Sequence, residues 1–303
     1  MATIVGDFKK LSVEDRVLIK QITNRYRPYS DFNFSSLFAW DIDDNTFYCR
    51  VPRGLVVNFQ DYIDKHSVIS IIGSRNCDDL VKEILDSPLY EEIQFVPEVI
   101  AKKFQNKKDY VVSEDADQHD YIYDAREHSH LKGRKFSWHR RKINKFLKNT
   151  VDDTVETRFI DLRKYNQQVK YVNSYHVWQK ASDEIPEERY AQERKAIERY
   201  LKNIDKLTSQ YALGVYINKV LSGIVMFEID GPNRKYFTVH FMKVNYEHEG
   251  IFNYLFFQLA QRADEVGIKY INFEQDLGIQ GLRTFKTLLK PCEMLKKYTI
   301  SKR

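Results

Sequence analysis

The order of hydrophobic patterns in the second half of the chain most constrains its fold. Stretches in which apolar and polar residues alternate predict strands, and stretches with apolar residues three or four positions apart predict helices. In order, the predicted elements are a strand at 155–160, helices at 169–178 and 187–201, strands at 211–216, 224–229 and 236–241, a helix at 252–266, a strand at 270–274, a helix at about 282–289 and a strand near Tyr298. This order predicts a mixed α/β domain.

The same order is that of a GNAT acyltransferase domain, and the first half of the chain follows it more loosely. There, two short strands are predicted within 47–59, a third strand at 68–72 and a helix at 78–85. No sequence repeat connects the two halves, so the similarity is one of plan. We predict an α/β fold with mixed α+β sheets and two GNAT-like domains in tandem, at residues 1–125 and 126–303.

The positive charge of the chain is concentrated in one segment. The whole chain carries 48 basic and 43 acidic residues, and the stretch from Leu131 to Lys148 holds eight Lys or Arg and no acid. A helix over about residues 131–149 would place Phe136, Ile143 and Leu147 on an apolar stripe. Its basic stripe would hold Arg134, Trp138, Arg141, Lys145 and Lys148. We therefore expect contacts with polyanions to centre on this amphipathic helix.

This segment offers side chains suited to a nucleic acid, although a solvated charged face is the usual role of such a run. Arginine and lysine bind phosphates, and Trp138 could stack on a base. The candidate phosphate-binding residues are Arg134, Lys135, Arg140, Arg141 and Lys142. A lipid headgroup surface would be attracted as well as RNA.

The sharpest candidate site lies close to the C-terminal end. On a strand, Asn272 and Glu274 point to one face, and Asp276 continues that polar face. The helix that follows carries Arg283 and Lys286 at a spacing of three, hence on one side. Carboxylates facing a basic helix can orient an amine or move a proton. The alternative is a buried salt-bridge network that fixes the last helix on the sheet.

Two features near residue 240 bear on the chemistry. His240 lies on a predicted strand and could act as a general base, although a lone histidine in a strand is more often structural. In a GNAT domain, a glycine-rich loop before the long helix holds the pyrophosphate of coenzyme A. Here that loop offers Gly250 beside the acidic Glu247 and Glu249, which argues against ordinary acyl-CoA binding.

The remaining patterns exclude several classes of protein. No apolar run approaches the roughly 20 residues that span a bilayer, and the N-terminus is charged too early for a signal peptide, so we expect a cytoplasmic protein. The cysteines are too few and too widely spaced for a disulfide framework, and the histidines lack the spacing of a metal site. These residues are Cys49, Cys77 and Cys292, and His128, His130 and His139.

Several of these pieces, taken together, resemble a known family. The matching residues are Tyr121, Tyr123 and Asp124, then 131–135 and 140–146, Trp178, Glu193 with Ala196 and Ile197, 270–278, 281–283, Lys286, and Lys290 with Pro291. This set resembles the C-terminal domain family of the phosphatidylglycerol lysyltransferases, as a stand-alone member. The resemblance covers nearly the whole chain and implies a tandem GNAT fold.

The resemblance also implies an activity. The best-understood members move an aminoacyl group from aminoacyl-tRNA to an acceptor such as a lipid headgroup. We therefore expect a transferase that uses aminoacyl-tRNA, bound through the basic helix, and an amine or hydroxyl acceptor on a small molecule, peptide or lipid headgroup. The alternatives are an acyl-CoA-dependent N-acyltransferase and a non-catalytic module that binds RNA or an acidic surface. No firm cofactor is expected.

This hypothesis assigns roles to individual residues. The catalytic candidates are Glu274, Asp276, Arg283 and Lys286. The substrate-binding candidates are Arg134, Lys135, Trp138, Arg140, Arg141, Asn144, Trp178, His240 and Asn272. In it, the carboxylates orient or deprotonate the acceptor, and Arg283 and Lys286 stabilise negative charge at the ester carbonyl or bind an acidic acceptor.

Overall fold

The computed structural model describes residues 7–52, 54–63, 66–73, 77–179 and 187–303. The chain divides into two compact units. The first contains the residues up to Asp120 together with Gln275–Gly278 and Met294–Arg303, and the second contains Tyr121–Glu274 and Ile279–Glu293. The predicted α/β fold with GNAT-like architecture is confirmed. No helix in the described part of the chain is long and apolar enough to cross a bilayer.

Within its described residues, the first unit contains two antiparallel sheets and four α-helices. In one sheet, β1 (Lys9–Lys10), β2 (Thr46–Val51), β3 (Gly54–Ile63) and β4 (His66–Gly73) follow one another in chain order. In the other, β14 (Lys297–Lys302) lies between β5 (Glu92–Pro97) and β6 (Tyr110–Glu114). The helices are α1 (Arg16–Thr23), α2 (Phe34–Trp40), α3 (Asp78–Asp86) and α4 (Glu98–Ala101). Apolar residues of β3, β4, α3, β5 and β14 form one core, because each element turns a β-branched or leucine face inward.

A charged cluster lies buried in the first unit. The ammonium of Lys297, on β14, contacts the carboxylate of Asp31, Oδ1 of Asp120 at 2.9 Å and Oγ of Ser30 at 3.0 Å. Ser30 also donates from its backbone N–H to Asp120 Oδ2 at 2.8 Å. Gln275 donates to Asp31 Oδ1 at 3.2 Å. These contacts fix the C-terminal strand to segments that are far away in the sequence.

The second unit is built on one mixed sheet. Its strands are β7 (Asp120–Asp124), β8 (Val155–Phe159), β9 (Gln210–Ile217), β10 (Val220–Asp230), β11 (Tyr236–Val244) and β12 (Tyr270–Asn272). A further strand, β13 (Glu293–Leu295), lies where the chain passes from the second unit back to the first. Across the sheet the order is β7-β12-β11-β10-β9-β8. The helices are α5 (Ala125–His130), α6 (Ser137–Asn149), α7 (Tyr165–Gln179), α8 (Glu187–Lys202), α9 (Ile251–Glu265) and α10 (Gln280–Leu288). Helix α9 packs on β9, β10 and β11, and α5 and α6 pack on α9.

The basic segment differs from its prediction in two respects. Leu131 and Gly133 have positive φ angles of 49° and 85°, so the chain breaks between α5 and α6 and the long helix starts at Ser137. Leu147, which the helical spacing places on the apolar stripe with Phe136 and Ile143, is 44% exposed in the structure, whereas the other two residues are buried. Phe146 and His139 are buried there instead, because the stripe that meets α9 runs through residues 136, 139, 143 and 146.

The division of the chain also differs from the residue ranges proposed from the sequence. The compact units separate between Asp120 and Tyr121, and the C-terminal strand β14 belongs to the first unit. A hydrophobic pattern identifies a strand such as β14, whereas the partners of that strand depend on packing that the local sequence does not encode.

Candidate functional site

A divergence between two strands defines the candidate site. The parallel strands β11 and β12 pair only at Tyr236–Tyr270, Phe237–Ile271 and Thr238–Asn272. Strand β11 continues to Val244, whereas β12 ends at Asn272. The pairing of the two strands therefore stops after Thr238 and Asn272, and we call this end of the pairing the opening between β11 and β12.

His240 and Glu274 lie at this opening. Each is two residues beyond the last paired residue of its strand, and Nδ1 of His240 is 3.5 Å from Oε1 of Glu274. The side chain of His240 is 1% exposed and that of Glu274 is 15% exposed, so Glu274 is the member that reaches solvent. The structure thus brings together two residues that the sequence analysis had assigned separately.

A third charged residue completes the cluster. Glu228 lies opposite Thr238 on the neighbouring strand β10, and its Oε1 is 3.7 Å from Nε2 of His240. Its side chain is fully buried. The β10–β11 register shifts between Met226 and Phe227, whose partners are Phe241 and Val239, so His240 is the additional residue of a β-bulge. Bulges redirect side chains, and this one accompanies the approach of His240 to Glu228.

Glu228 was not among the predicted site residues. The residue stands in the apolar strand sequence Ile224–Ile229, where its neighbours Phe227 and Ile229 predict burial. A charged side chain is seldom fully buried unless it is paired or functional. That single charge within an apolar strand was the signal that could have revealed it.

Gln210 binds Glu228 directly, and Tyr200 in turn binds Gln210. Gln210 donates from Nε2 to Glu228 Oε2 at 2.9 Å, and it accepts at Oε1 from the hydroxyl of Tyr200 at 2.6 Å. Burial, with a contribution from Glu228, raises the pKa of Tyr200 well above its usual value, so its hydroxyl stays protonated and able to donate. The ring of Tyr200 also packs against the ring of His240, with centroids 5.9 Å apart.

The backbone of Glu274 is held in an unusual conformation. Its φ angle is 52°, which is uncommon for a residue with a side chain. Oδ1 of Asn272 accepts from the N–H of Glu274 at 2.8 Å. The buried ammonium of Lys286 donates to the carbonyls of Phe273 at 2.5 Å and Glu274 at 3.2 Å. Asn272 and Lys286 thus fix the direction in which the Glu274 side chain leaves the strand.

The other candidates near the C-terminal motif have different surroundings. Asp276 is fully buried in the first unit, where its Oδ1 accepts from the N–H of Gly278 at 2.9 Å. Arg283 is partly buried on α10, one turn before Lys286. Trp178 is buried on α7 and Asn144 is exposed on α6. A separate cavity of about 380 Å³ is lined by Asp124, Arg126, Glu127, His130, Lys132 and Phe136, none of which was a predicted site residue.

The cations of the basic segment fall into two groups. Lys135 pairs with Glu127 at 2.7 Å, and the guanidinium of Arg140 donates to the carbonyls of Leu131 and Gly133. Lys142 and Lys145 both pair with Glu249, at 2.8 Å and 2.5 Å, and their hydrogen bonds lower the pKa of that carboxyl to about 2.

The second group is exposed. It consists of Lys132, Arg134, Arg141 and Lys148, none of which forms an ion pair within the described ranges of the chain. Trp138, on the same helix, is partly buried, with its ring 6.2 Å from that of Phe285.

Helix α6 lies directly against the N-terminal end of α9. Gly250, the residue before α9, has a φ angle of 90°, and a Cβ atom added to it would lie 2.2 Å from the carbonyl oxygen of Lys142. The ring of Phe146 packs on that of Tyr254 at 4.8 Å, and Nε2 of His139 is 3.1 Å from the carbonyl of Asn253. The first turn of α9 is therefore covered by the backbone and side chains of α6.

A crystal structure of a conserved protein of unknown function from Bacteroides thetaiotaomicron is 24% identical, with a TM-score of 0.84 over 98% of this chain and 99% of that chain. L-PGS from Bacillus licheniformis is 13% identical, with a TM-score of 0.63 over 97% and 92%. The C-terminal DUF2156 domain of an Agrobacterium fabrum protein is 14% identical, with a TM-score of 0.59 over 96% and 92%.

These likenesses establish the fold, and the sequence match establishes the family. No curated protein matches the sequence. The family described as "Phosphatidylglycerol lysyltransferase, C-terminal" matches residues 23–301. This match includes the opening between β11 and β12 and the basic segment, and it agrees with the resemblance found in the sequence. The chain therefore belongs to the phosphatidylglycerol lysyltransferase C-terminal family.

Proposed function

We propose that the chain transfers an aminoacyl group from aminoacyl-tRNA to an amine or hydroxyl acceptor at the opening between β11 and β12. The observation that carries the proposal is the pair His240–Glu274, which lies at that opening with a carboxylate that reaches solvent. Membership of a family named for a lysyltransferase supports the reaction class. The acceptor is an amine or hydroxyl on a small molecule, a peptide or a lipid headgroup.

The chemistry proposed for Glu274 is that of a general base. Attack on the ester carbonyl of an aminoacyl-tRNA requires the nucleophile to lose a proton, and a positioned carboxylate accepts it. Arg283, one turn before Lys286 on α10, is proposed to bind the negative charge that develops on the carbonyl oxygen. The contacts of Lys286 with the carbonyls of Phe273 and Glu274 favour a supporting role for its ammonium. Asp276, buried in the first unit, is likewise proposed as a structural residue.

The covered N-terminus of α9 disfavours coenzyme A as the donor. GNAT enzymes that use coenzyme A bind its pyrophosphate with the free backbone N–H groups at the start of the long helix. Here α6 occupies the space in front of Gly250. A pyrophosphate would have to displace α6 to reach the backbone N–H groups. The covered helix terminus therefore favours aminoacyl-tRNA over acyl-CoA as the donor.

The exposed cations of the basic segment are the proposed contact for donor phosphates. Within the described residues, Arg134 and Arg141 form no ion pair, whereas Lys142 and Lys145 both pair with Glu249. Each phosphate contact releases counterions, so binding should weaken steeply as salt rises. The phosphate-binding role proposed for Arg140 is replaced by a structural one, since its guanidinium joins the loop at 131–133 to α6.

A binding titration with bulk aminoacylated tRNA tests the donor assignment. We expect the Arg134→Ala/Arg141→Ala double variant to bind at least about tenfold more weakly than the unaltered protein, with a smaller salt slope. The matched control is Lys142→Ala/Lys145→Ala, which also removes two charges from α6 and should weaken binding less. Equal losses in the two double variants would contradict this assignment of the phosphate contact, and binding of coenzyme A without tRNA would favour the acyltransferase.

Transfer itself is tested with labelled aminoacyl-tRNA and a panel of amine and lipid acceptors. Replacing Glu274 with Gln preserves the shape of the side chain and removes the base, so transfer should fall about 100-fold or more while tRNA binding stays unchanged. Full activity in Glu274→Gln would exclude the proposed role. Loss of tRNA binding in the same variant would indicate that the residue supports the structure instead.

A further inference from the structure

His240 lies between two carboxylates, an arrangement unlike that of a structural core histidine. Glu274 faces Nδ1 at 3.5 Å and Glu228 faces Nε2 at 3.7 Å. A neutral imidazole offers one N–H and one lone pair, so one of the two carboxylates would face a lone pair. The imidazolium is attracted to both carboxylates, although the 3.7 Å between Nε2 and Glu228 is longer than a hydrogen bond. The position of the two carboxylates thus favours a ring that receives a proton during the reaction.

The cluster continues inward through neutral groups. The fully buried Glu228 accepts from Gln210 at 2.9 Å, and Gln210 accepts from Tyr200 at 2.6 Å. A buried carboxylate behind a histidine, on the side away from the reacting group, stabilises the imidazolium when it forms. Exposure rises along the cluster from Glu228 to His240 and Glu274, so solvent is reached at Glu274.

We infer that Glu228 and His240 form a proton relay behind Glu274, with Gln210 and Tyr200 as positioning residues for Glu228. This inference rests on the proposed function for its reaction, although the charge arrangement exists without it. Glu274 is the group that touches the acceptor, and His240 and Glu228 act through Glu274.

The proton balance of the relay is simple. The acceptor nitrogen or oxygen forms a bond to the ester carbonyl carbon, and its proton passes to the Glu274 carboxylate and on to His240. The imidazolium is then stabilised by Glu228. When the tetrahedral intermediate collapses, the bond between the carbonyl carbon and the ribose oxygen breaks, and the proton returns through Glu274 to that oxygen. The products are an amide or ester and a free ribose hydroxyl, and no further reactant is consumed.

The groups that face the ring come from three elements besides β11. Glu228 comes from β10, Glu274 follows β12, and the phenol of Tyr200 comes from α8. Burial keeps Tyr200 protonated, so the two carboxylates are the charged groups among these three. Opposite charges about 4 Å apart interact strongly where solvent is excluded. Removing either carboxylate should therefore change the electrostatic environment of the ring nitrogen that it faces.

Histidine ring NMR on the full chain tests the relay without any substrate. The protein is labelled in its eight histidines, and a His240→Gln variant assigns the His240 signal. In Glu228→Gln, which preserves side-chain shape, the ring ¹⁵N signal of His240 should move, because a neutral amide replaces the carboxylate that faces Nε2. Glu274→Gln should move it as well, because the carboxylate that faces Nδ1 is replaced. The control is Glu193→Gln, which removes another carboxylate of the second unit, one bound to Lys243 at 2.9 Å, and should leave the His240 signal unchanged.

Two results would overturn the relay. One is an unchanged His240 ring signal in Glu228→Gln when circular dichroism and the unfolding midpoint show a folded protein. The other is a pH–rate profile for transfer that is identical in Glu228→Gln and the unaltered protein. A conservative Tyr200→Phe variant gives a second test, because losing one anchor of Gln210 should produce a smaller shift of the same sign. If the His240 ring signal responds to Glu228→Gln as expected but no aminoacyl group is transferred from aminoacyl-tRNA, the proposed function is refuted and the charge relay stands.

Discussion

The buried ammonium of Lys297 should be among the most sensitive positions of the first unit. Replacing Lys297 with Met keeps most of the volume and removes the charge that neutralises Asp31 and Asp120, both of which are buried. Breaking a buried ion pair by removing one partner costs about 3–5 kcal/mol, because the remaining charge stays buried without compensation. The hydrogen bond from Lys297 to Ser30 is lost as well.

The loss should depend on pH, with a sign that follows from Asp31. Burial raises the pKa of Asp31 to about 6 although Lys297 opposes the shift. Between its ordinary pKa near 4 and that value, the folded state holds a proton that the unfolded state has released, so stability falls as pH rises through this window. Without Lys297, ionisation of Asp31 becomes still less favourable. Lys297→Met should therefore be more destabilising at pH 7.5 than at pH 5.

Urea unfolding at the two pH values measures this effect. In a Trp138→Phe/Trp178→Phe background, the fluorescence of Trp40 reports on the first unit. The control is the neighbouring Lys296→Met, which removes an exposed ion pair with Glu114 at 2.8 Å and should change stability little. The role of the buried ammonium is refuted if Lys297→Met unfolds at the same urea concentration as Lys296→Met, or if Lys297→Met loses more stability at the lower pH.

Two further predictions concern α6. Gly250→Ala should destabilise the second unit by about 2 kcal/mol or more in urea unfolding. The φ of Gly250 is 90°, and the new Cβ would meet the carbonyl oxygen of Lys142. The control is Gly267→Ala, which should destabilise less, because Gly267 has a φ of 73° but open space around it. Burial lowers the pKa of His139 to about 4, so the unfolded state takes up a proton first as pH falls below about 6.5, and about 3 kcal/mol of stability should be lost by pH 4. His139→Gln should flatten the dependence of stability on acid pH, whereas His130→Gln, at an exposed position, should not. Equal acid profiles for the two variants would contradict the role of His139.

The local sequence predicted the second unit well because its elements have clear periodicity. Strands β9, β10 and β11 and helix α9 lie close to their predicted positions. The expected strand at 270–274 instead ends at Asn272, where the side chain of that residue accepts from the N–H of Glu274 and the chain turns. A period-two pattern cannot detect such a turn, because Asn and Glu both suit an exposed strand face.

The candidate site was predicted in part. Glu274 and His240 were identified separately, from a motif and from a strand position, whereas their contact depends on the divergence of β11 and β12. The basic face was identified as a unit, but the sequence could not distinguish Arg140, which holds backbone carbonyls, from Arg141, which faces solvent. That distinction depends on the break at Leu131 and Gly133, which brings two carbonyls within reach of Arg140.

The position of β14 has a consequence for the order in which the chain can fold on the ribosome. Its residues supply the central strand of a sheet in the first unit, and they follow every residue of the second unit in the sequence. During synthesis, β5 and β6 therefore cannot form their hydrogen bonds to β14 until the whole second unit has been translated. The N-terminal unit is then the last to complete its hydrogen bonding, the reverse of the usual order in which domains fold as they emerge.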